Sequence, residues 1–408
     1  MNNFTVKDIS LYKEGQQKID WVAKWMKVLN RLADKYEKEG VFKSKRVTMC
    51  IHLEAKTAYL ATVIKRLGAD VWITSSNSMS TKDDVCAALA KNGIHVHAVH
   101  AANRETYHKY LKSVVSCKPN VVVDDGGDIC ELLHEKPEYA ENLQGICEET
   151  TSGVQRLKEK AQNGTLKYPA LAINDAQSKY LFDNRYGTGQ STWTAITHLT
   201  NMTIAGRVVV IVGYGWVGRG VAVKAAGLGA EVVITEINPW KAMEARMDGF
   251  QVMTIAKAAE IGDFFVTATG EDDVITMGHI LKMKDGAFLS NAGHFGYEIS
   301  VPDLMNQALT VETVRENVDE ITLKNGKKVY LLSKGDIINI AGGLGHPVEI
   351  LDISFSLQLA SIYHVLTSNY KGGKLHNVPK EIDEMVIREK MKVENIRIDE
   401  DTKGVLKR

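Results

Sequence analysis

The stretch RVVVIVGYGWVGRG, residues 207–220, decides the fold of half of this chain. An apolar, β-branched run is followed at once by three glycines in the spacing GxGxxG, at Gly213, Gly215 and Gly218. Such glycines permit a tight turn and let a pyrophosphate approach the N-terminus of the next helix. The following strand ends in Glu236, whose carboxylate is placed to bind ribose hydroxyls and so favours NAD over NADP. Lys241, five residues later, argues against this preference for NAD.

Apolar runs alternate with helical patterns on both sides of this stretch, which is typical of βα units. Further strands are expected at residues 231–237, 263–270 and 286–293, and an earlier series at 46–51, 70–75, 94–99 and 120–125. These patterns predict an α/β fold with two doubly wound parallel-sheet domains, one of them a Rossmann NAD-binding domain, and a short C-terminal tail. The predicted bounds are 1–183 with 344–372 for a substrate-binding domain, 184–343 for the NAD-binding domain and 373–408 for the tail.

The amino-acid composition argues against some classes of function. The 408 residues include 50 basic and 50 acidic residues, so the formal net charge is zero, which argues against a general nucleic-acid binder. The N-terminus carries charges where a secretory signal needs an apolar region. We therefore expect a cytoplasmic protein with neither a nucleic-acid nor a membrane partner.

The cysteines do not form a recognisable metal or disulfide pattern. There are five of them, an odd number, and no CxxC pair occurs among Cys50, Cys86, Cys117, Cys130 and Cys147. We expect buried thiols in a reducing compartment and no bound metal.

A GxGxxG site alone would fit an ordinary NAD dehydrogenase, but further motifs are more specific. They are HLEAKTA (52–58), NSMSTKDD (77–84), VDDGGD (123–128), EETTSGV (148–154), NDAQSKYLFDNRYGTGQS (174–191), NAGHF (291–295) and GHP (345–347). In number, order and spacing they resemble the S-adenosylhomocysteine hydrolases along nearly the whole chain. The resemblance implies a homotetramer that reversibly hydrolyses this nucleoside thioether to adenosine and homocysteine with tightly bound NAD. The implied steps are 3′-oxidation, abstraction of the C4′ proton, thiol elimination, water addition and re-reduction.

The resemblance also implies six catalytic residues. Lys179 and Asp183 would lie beside the 3′-hydroxyl, at a spacing that puts both on one helix face, with burial lowering the pKa of the lysine so that it accepts the proton. Asp125, at the end of a predicted strand, would be the base at C4′. His52 would handle the proton of the leaving thiol or attacking water, His294 would lie near the substrate and its gate, and Glu149 would contact substrate hydroxyls.

Other positions match the family's binding residues. Around the nicotinamide these are Thr150, Thr151, Ser152, Asn184 and Asn339, in addition to the three glycines and Glu236. His346 would lie beside the adenine, with Glu54 and Lys56 as further substrate residues. The Glu54 and Lys56 pair resembles bacterial and archaeal members, some of which accept S-inosylhomocysteine, so adenine and hypoxanthine both remain open.

The chain departs from the family near the expected site. Lys334-Gly335-Asp336 replaces the usual Glu-Gly-Arg, Lys82 replaces a glutamine and Gly296 replaces an acidic residue. Either ion-pair partners are exchanged, or Asp336 repels the homocysteine carboxylate and the leaving group differs. A regulatory NAD-binding protein without activity is a third alternative. The sequence stops at Lys407-Arg408 without the tyrosine-containing tail of longer members, from which we expect looser NAD binding.

Overall fold

The computed structural model describes residues 4–294 and 296–399. Phe295 of the NAGHF motif and residues 400–408, including Lys407 and Arg408, lie outside the described residues. The strands in the described part are β1 (Arg46–Cys50), β2 (Asp70–Thr74), β3 (His95–Val96), β4 (Val121–Asp124), β5 (Gly145–Glu148), β6 (Ala170–Ala172), β7 (Val208–Val212), β8 (Glu231–Thr235), β9 (Gln251–Val252), β10 (Phe264–Thr267), β11 (Ala287–Asn291), β12 (Ala308–Arg315), β13 (Val318–Leu323), β14 (Lys328–Leu332) and β15 (Leu375–Asn377).

The α-helices alternate with these strands. They are α1 (Tyr12–Trp25), α2 (Lys27–Glu39), α3 (Ala55–Arg66), α4 (Asp83–Lys91), α5 (Arg104–Val115), α6 (Asp128–Glu135), α7 (Thr151–Gln162), α8 (Gln177–Lys179), α9 (Thr188–Thr200), α10 (Trp216–Gly227), α11 (Pro239–Met247), α12 (Ile255–Ile261), α13 (Met277–Ile280), α14 (Val301–Gln307), α15 (Ile338–Ala341), α16 (Val348–Thr367) and α17 (Lys380–Val393). A π-helix covers Tyr180–Gly187, and short 3₁₀ turns cover Ile9–Leu11, Ser78–Ser80, Pro137–Ala140, Ile173–Asp175 and Ser333–Gly335.

Two sheets organise the chain and confirm the predicted α/β fold. The first has seven strands in the order β15-β6-β5-β4-β1-β2-β3, all paired in parallel. The second has eight strands in the order β12-β13-β14-β11-β10-β7-β8-β9, parallel except where β13 pairs with its two neighbours. The central strands are buried on both faces because helices cover both sides, which explains their unbroken apolar runs.

The region predicted to be a separate tail contributes to the first sheet. Strand β15 pairs in parallel with β6, and α17 packs against α2 and α16. Arg31 of α2 pairs with Glu389 of α17 at 2.9 Å. Residues 375–393 are therefore integrated into the first domain.

Helix α16 is the central core helix of that domain. It is long and apolar enough to cross a membrane by length and composition, but 72% of its apolar window is buried inside the protein. Its Asp352 has no exposed surface and accepts hydrogen bonds from the amides of Val28 and Leu29 at the start of α2. The helix therefore holds the first domain together through both apolar packing and a buried cap.

One continuous helical element joins the two domains, formed by α8, the π-helix and α9. Its first turns lie beside α16, and α9 packs against α10 in the second domain. The approach is close: a Cβ atom on Gly189 would lie 2.5 Å from the carbonyl oxygen of Gly220. Glycine at this crossing allows the two backbones to touch.

Candidate active site

A large cavity lies between the two domains and has a volume of about 1340 Å³. Its walls include residues that follow β1, β4 and β5 of the first sheet and residues that follow β7, β8, β10 and β11 of the second. The carboxyl ends of parallel strands are where ligands collect in doubly wound sheets. All six predicted catalytic residues line this cavity: His52, Asp125, Glu149, Lys179, Asp183 and His294.

Lys179 is the centre of a buried charged cluster. Its Nζ atom lies 2.9 Å from Oδ1 of Asp183, 2.7 Å from Oδ1 of Asn184 and 3.6 Å from Oε1 of Glu149. The wider turn of the π-helix lets both the fourth and the fifth residue after the lysine reach it, and single π turns often occur at functional sites.

The protonation of this cluster differs from the sequence expectation. Burial lowers the pKa of Lys179, but the negative charges of Asp183 and Glu149 outweigh burial and raise it above its ordinary value. The expectation of a lysine with a lowered pKa is therefore wrong for this arrangement. Burial raises the pKa of Glu149 to about 8, although Lys179 opposes the shift. Lys179 holds the pKa of Asp183 well below its usual range despite burial, with His346 as a weaker contributor.

Two helix residues that the sequence did not single out support these carboxylates. Ser354 donates a hydrogen bond to Oδ2 of Asp183 at 2.8 Å, and Gln358 donates one to Oε2 of Glu149 at 2.5 Å. Both lie on α16, four residues apart, and are buried. Polar side chains at helical spacing within a largely apolar helix were the available signal.

Asp125 lies between the two predicted site histidines. Its Oδ2 is 3.8 Å from Nε2 of His52, and its Oδ1 is 3.8 Å from Nδ1 of His294. Burial raises the pKa of Asp125, but His52, and more weakly His294 and Lys179, outweigh burial and lower it. Burial also lowers the pKa of His294 to about 4, so this histidine is neutral at neutral pH. The site therefore presents an ionised carboxylate beside a neutral imidazole.

Two serines orient this part of the site. Ser76 donates a hydrogen bond to Oδ2 of Asp125 at 3.1 Å, and the hydroxyl of Ser80 lies 2.7 Å from Nδ1 of His52. Their positions after β2 bring them to the same sheet edge as Asp125. The ligand atoms of His52, Asp125 and His294 lie within 4.8 Å of one another, which is close enough to hold a metal ion.

The residues around the glycine turn fit NAD. A Cβ atom on Gly218 would lie 2.0 Å from the carbonyl oxygen of Gly213, whereas one on Gly215 would meet no protein atom within 4 Å and would project into open space. Glu236 lines the cavity at the end of β8 and accepts a hydrogen bond from the amide of Tyr214 at 2.7 Å. Oδ1 of Asn339 is buried without a hydrogen-bond partner among the described residues, so it can accept one from a carboxamide.

The remaining predicted NAD residues also reach the cavity. Thr150, Thr151 and Ser152 at the start of α7 and Asn184 in the π-helix all line its wall. Thr151 donates a hydrogen bond to Asn174 at 3.2 Å, and Asn184 donates one to the same oxygen at 2.9 Å. Thr151 and Asn184 are therefore held together by the side-chain oxygen of Asn174.

The predicted purine residues lie close to the charged cluster, and Nδ1 of His346 is 3.5 Å from Oδ1 of Asp183. Glu54 and His346 line the cavity. Lys56 is 4% exposed and does not belong to the described cavity wall; its Nζ binds Oε2 of Glu54 at 2.6 Å and the carbonyl oxygen of Leu344 at 2.7 Å. The lysine therefore connects Glu54 to the loop that carries His346.

The departures from the family cluster at the contact between the domains. Asn77 donates a hydrogen bond to Oδ1 of Asp336 at 2.8 Å, and Lys82 donates one to the carbonyl oxygen of Ile340 at 3.1 Å. A Cβ atom on Gly296 would lie 3.3 Å from the Cα of Asp336, so these two replaced positions are neighbours. Lys82, Lys334 and Asp336 do not belong to the described cavity wall, but Asp336 directly precedes Ile337, which does.

Comparisons with known proteins show similar sequences over nearly the whole chain. The sequence profile described as S-adenosyl-L-homocysteine hydrolase matches residues 3–142, and the profile described as its NAD binding domain matches residues 184–345. The chain is 49% identical over 388 residues to the adenosylhomocysteinase of Thermotoga maritima, covering 95% of this chain and 96% of that one. It is also 49% identical over 402 residues to the S-inosyl-L-homocysteine hydrolase of Methanocaldococcus jannaschii, covering 98% and 97%. The adenosylhomocysteinase of Thermococcus kodakarensis is 46% identical over 400 residues, covering 98% and 95%.

Proposed function

The chain belongs to the S-adenosyl-L-homocysteine hydrolase family, and from that premise we propose that it reversibly hydrolyses S-adenosyl-L-homocysteine to adenosine and homocysteine. It is an enzyme with NAD as its cofactor and a small nucleoside as its substrate. The observation that carries the proposal is the convergence of the six catalytic candidates on one cavity continuous with the glycine turn. Such a set is not needed for simple dehydrogenation.

Bound NAD supplies the oxidation at C3′ and the later reduction. Lys179, Glu149 and Asp183 manage the 3′-hydroxyl proton as a coupled group. The Lys179 ammonium donates a hydrogen bond to the 3′-oxygen and stabilises negative charge there. The proton of the 3′-hydroxyl is passed through the lysine to Glu149, which accepts it in its ionised form. Ser354 and Gln358 hold the carboxylates in place.

Asp125 acts on the neighbouring carbon. Once C3′ is a ketone, the C4′ proton is acidic, and the ionised carboxylate removes it. The carbon–sulfur bond at C5′ then breaks, and the thiolate receives a proton from His52. In the next step a histidine takes a proton from the water that adds to the enone. Ser80 orients His52 through its other ring nitrogen.

We propose adenine as the purine. The Glu54 carboxylate, paired with Lys56, presents acceptor atoms to the cavity, which suit the 6-amino donor of adenine. S-inosylhomocysteine is the second candidate because Lys56 lies close behind Glu54 and its ammonium could donate to a 6-oxo group after leaving Leu344. The relative from Methanocaldococcus jannaschii bears the name of that activity.

We also propose a cytoplasmic homotetramer. The five free cysteines suit a reducing compartment. Association is supported by an apolar surface on and beside α11, where Ile237, Trp240 and Met247 are 98%, 84% and 73% exposed. Light scattering of the purified protein tests the tetramer, and a monomeric mass would contradict it.

One assay tests the activity. Purified protein saturated with NAD is given S-adenosylhomocysteine, S-inosylhomocysteine or adenosine, and NADH absorbance, free thiol and deuterium exchange at C4′ are followed. Thiol release that is faster with the adenine substrate supports the proposal. Faster release with the hypoxanthine substrate favours the second candidate, exchange without thiol release indicates another leaving group, and absence of NADH would contradict enzymatic activity of this kind.

A further inference from the structure

Two buried carboxyl groups lie directly beneath the catalytic carboxylates and have no part in the proposed chemistry. Asp124 and Glu148 end the neighbouring strands β4 and β5, stand opposite each other in register and have no exposed surface. Asp125 and Glu149 follow them immediately in the chain. Burying two carboxyl groups costs free energy, so the contacts they make are informative.

Glu148 connects the two loops that carry the catalytic carboxylates. Its Oε1 accepts hydrogen bonds from the amide of Gly126 at 2.9 Å and from the amide of Thr150 at 3.1 Å. These amides belong to the residues that directly follow Asp125 and Glu149. We propose that Glu148 is a positioning residue that sets the spacing between Asp125 and Glu149 by holding both amides on one oxygen atom.

The inference rests on the proposed function, in which the two catalytic carboxylates serve adjacent carbon atoms of one ribose. Asp125 removes the C4′ proton, and Glu149 works with Lys179 at C3′. Their separation must therefore let both groups reach adjacent positions of the same ribose at once. A displacement of about 1 Å in a catalytic group can reduce a rate by roughly 100-fold.

The surroundings leave the Glu148 carboxyl group little freedom. A Cβ atom on Gly153 of α7 would lie 2.1 Å from its Cδ, so the glycine leaves just enough room for the carboxyl group. On the opposite side, Asp124 accepts hydrogen bonds from the amides of Asp125 at 3.2 Å and Cys130 at 2.8 Å. The turn after β4 is thus held from both sides.

The useful property of Glu148 is its acceptor oxygen. Burial, and the nearby Asp124, raise the pKa of Glu148 well above its ordinary value, which favours the neutral acid. Glutamine has the same shape and keeps a neutral carbonyl acceptor, whereas methionine keeps the length and removes the acceptor. The pair of substitutions therefore separates hydrogen bonding from space filling.

The experiment compares Glu148→Gln, Glu148→Met and the wild type, each saturated with NAD. We expect kcat for thiol release to fall by roughly 100-fold in Glu148→Met with KM changed less than about threefold, because positioning is lost but the binding walls remain. In Glu148→Gln we expect kcat within about fivefold of the wild type. Deuterium exchange at C4′ should fall with kcat in Glu148→Met.

A second variant guards against failure to fold. Gly153→Ala leaves Glu148 in place but pushes its carboxyl group, so in folded protein it should lower kcat and C4′ exchange, with a lower melting temperature because the new methyl group overlaps that carboxyl group. Normal kcat in folded Glu148→Met or in Gly153→Ala would overturn the inference. An equal loss of kcat in Glu148→Gln and Glu148→Met would also overturn it. A wild-type protein that releases no thiol would instead contradict the proposed function.

Discussion

Replacement of Lys179 by methionine tests both the chemistry and the electrostatics of the site. Methionine keeps most of the length of the side chain but removes the ammonium that lies 2.9 Å from Asp183 and 3.6 Å from Glu149. Breaking a buried ion pair by removal of one partner costs about 3–5 kcal/mol in the free energy of unfolding. Without the lysine, NADH formation should slow by roughly 10²–10⁴-fold.

The loss of stability should depend on pH. Burial already raises the pKa of Glu149 to about 8, and removal of Lys179 takes away the charge that opposes the shift. A carboxyl group with a raised pKa in the folded state binds its proton more tightly there than in the unfolded chain. Its stabilising effect is therefore full below about pH 4 and is lost as the pH rises through the folded pKa. The free energy of unfolding of Lys179→Met should be lowest above pH 8.

The measurement is urea unfolding at pH 6 and pH 9 with saturating NAD, together with NADH absorbance after addition of substrate. Lys158→Met is a matched control, since its partner Asp175 lies 2.7 Å away and both side chains are partly exposed; we expect a change of about 0–1 kcal/mol. The double variant Lys179→Met with Glu149→Gln should recover stability at pH 9 but not activity. Normal NADH formation in Lys179→Met, or an equal loss of stability at both pH values, would refute the reasoning.

Four further outcomes are expected. Asp125→Asn should keep NADH formation within about tenfold but reduce C4′ exchange by roughly 10²–10⁴-fold; equal loss of both signals would argue against its role as the C4′ base. Gly215→Ala should weaken NAD retention in dialysis without changing the stability of the cofactor-free protein, since the new methyl group meets open space. Zinc should inhibit thiol release reversibly by bridging Asp125 to the histidines, and His294→Ala should reduce this inhibition. Because burial raises the pKa of Asp352 to about 6, the free energy of unfolding of the wild type should fall as the pH rises from about 4 to about 6. Asp352→Asn should abolish this fall.

Much of the architecture could be predicted from local pattern. The strands Val208–Val212 and Arg46–Cys50 are largely apolar runs. The glycine turn directly follows Val212, as the GxGxxG spacing predicted. The antiparallel β12 and β13 were missed; β12 carries apolar Leu309 and Val311 but is exposed along nearly its whole length. The last strand, β15, was also missed, since three residues carry too little periodicity to be distinguished from a loop.

The candidate site was predicted residue by residue from motifs, but its electrostatics were not. The pKa of Lys179 depends on Glu149, which lies thirty positions earlier and meets the lysine only when β5 and the π-helix come together. Asp336 likewise has its partner in Asn77, on the other domain. A local stretch of sequence does not show which charged groups from distant segments will lie beside it in the fold. For the same reason the hydrogen bonds of Glu148 could not be predicted.

The helical element that joins the domains has a consequence for protein engineering. Lys179 sits on α8 and its partners Asp183 and Asn184 on the π-helix, while the same element continues into α9 and the packing of the second domain. A chimera that exchanges cofactor domains between relatives at residue 183 would take the lysine from one parent and its amide partner from the other. A junction after Thr200 would keep the element whole but would take Gly189 and Gly220, which touch at the crossing with α10, from different parents. The recombination junction should therefore be placed before Gln177, so that the element and this crossing are inherited together.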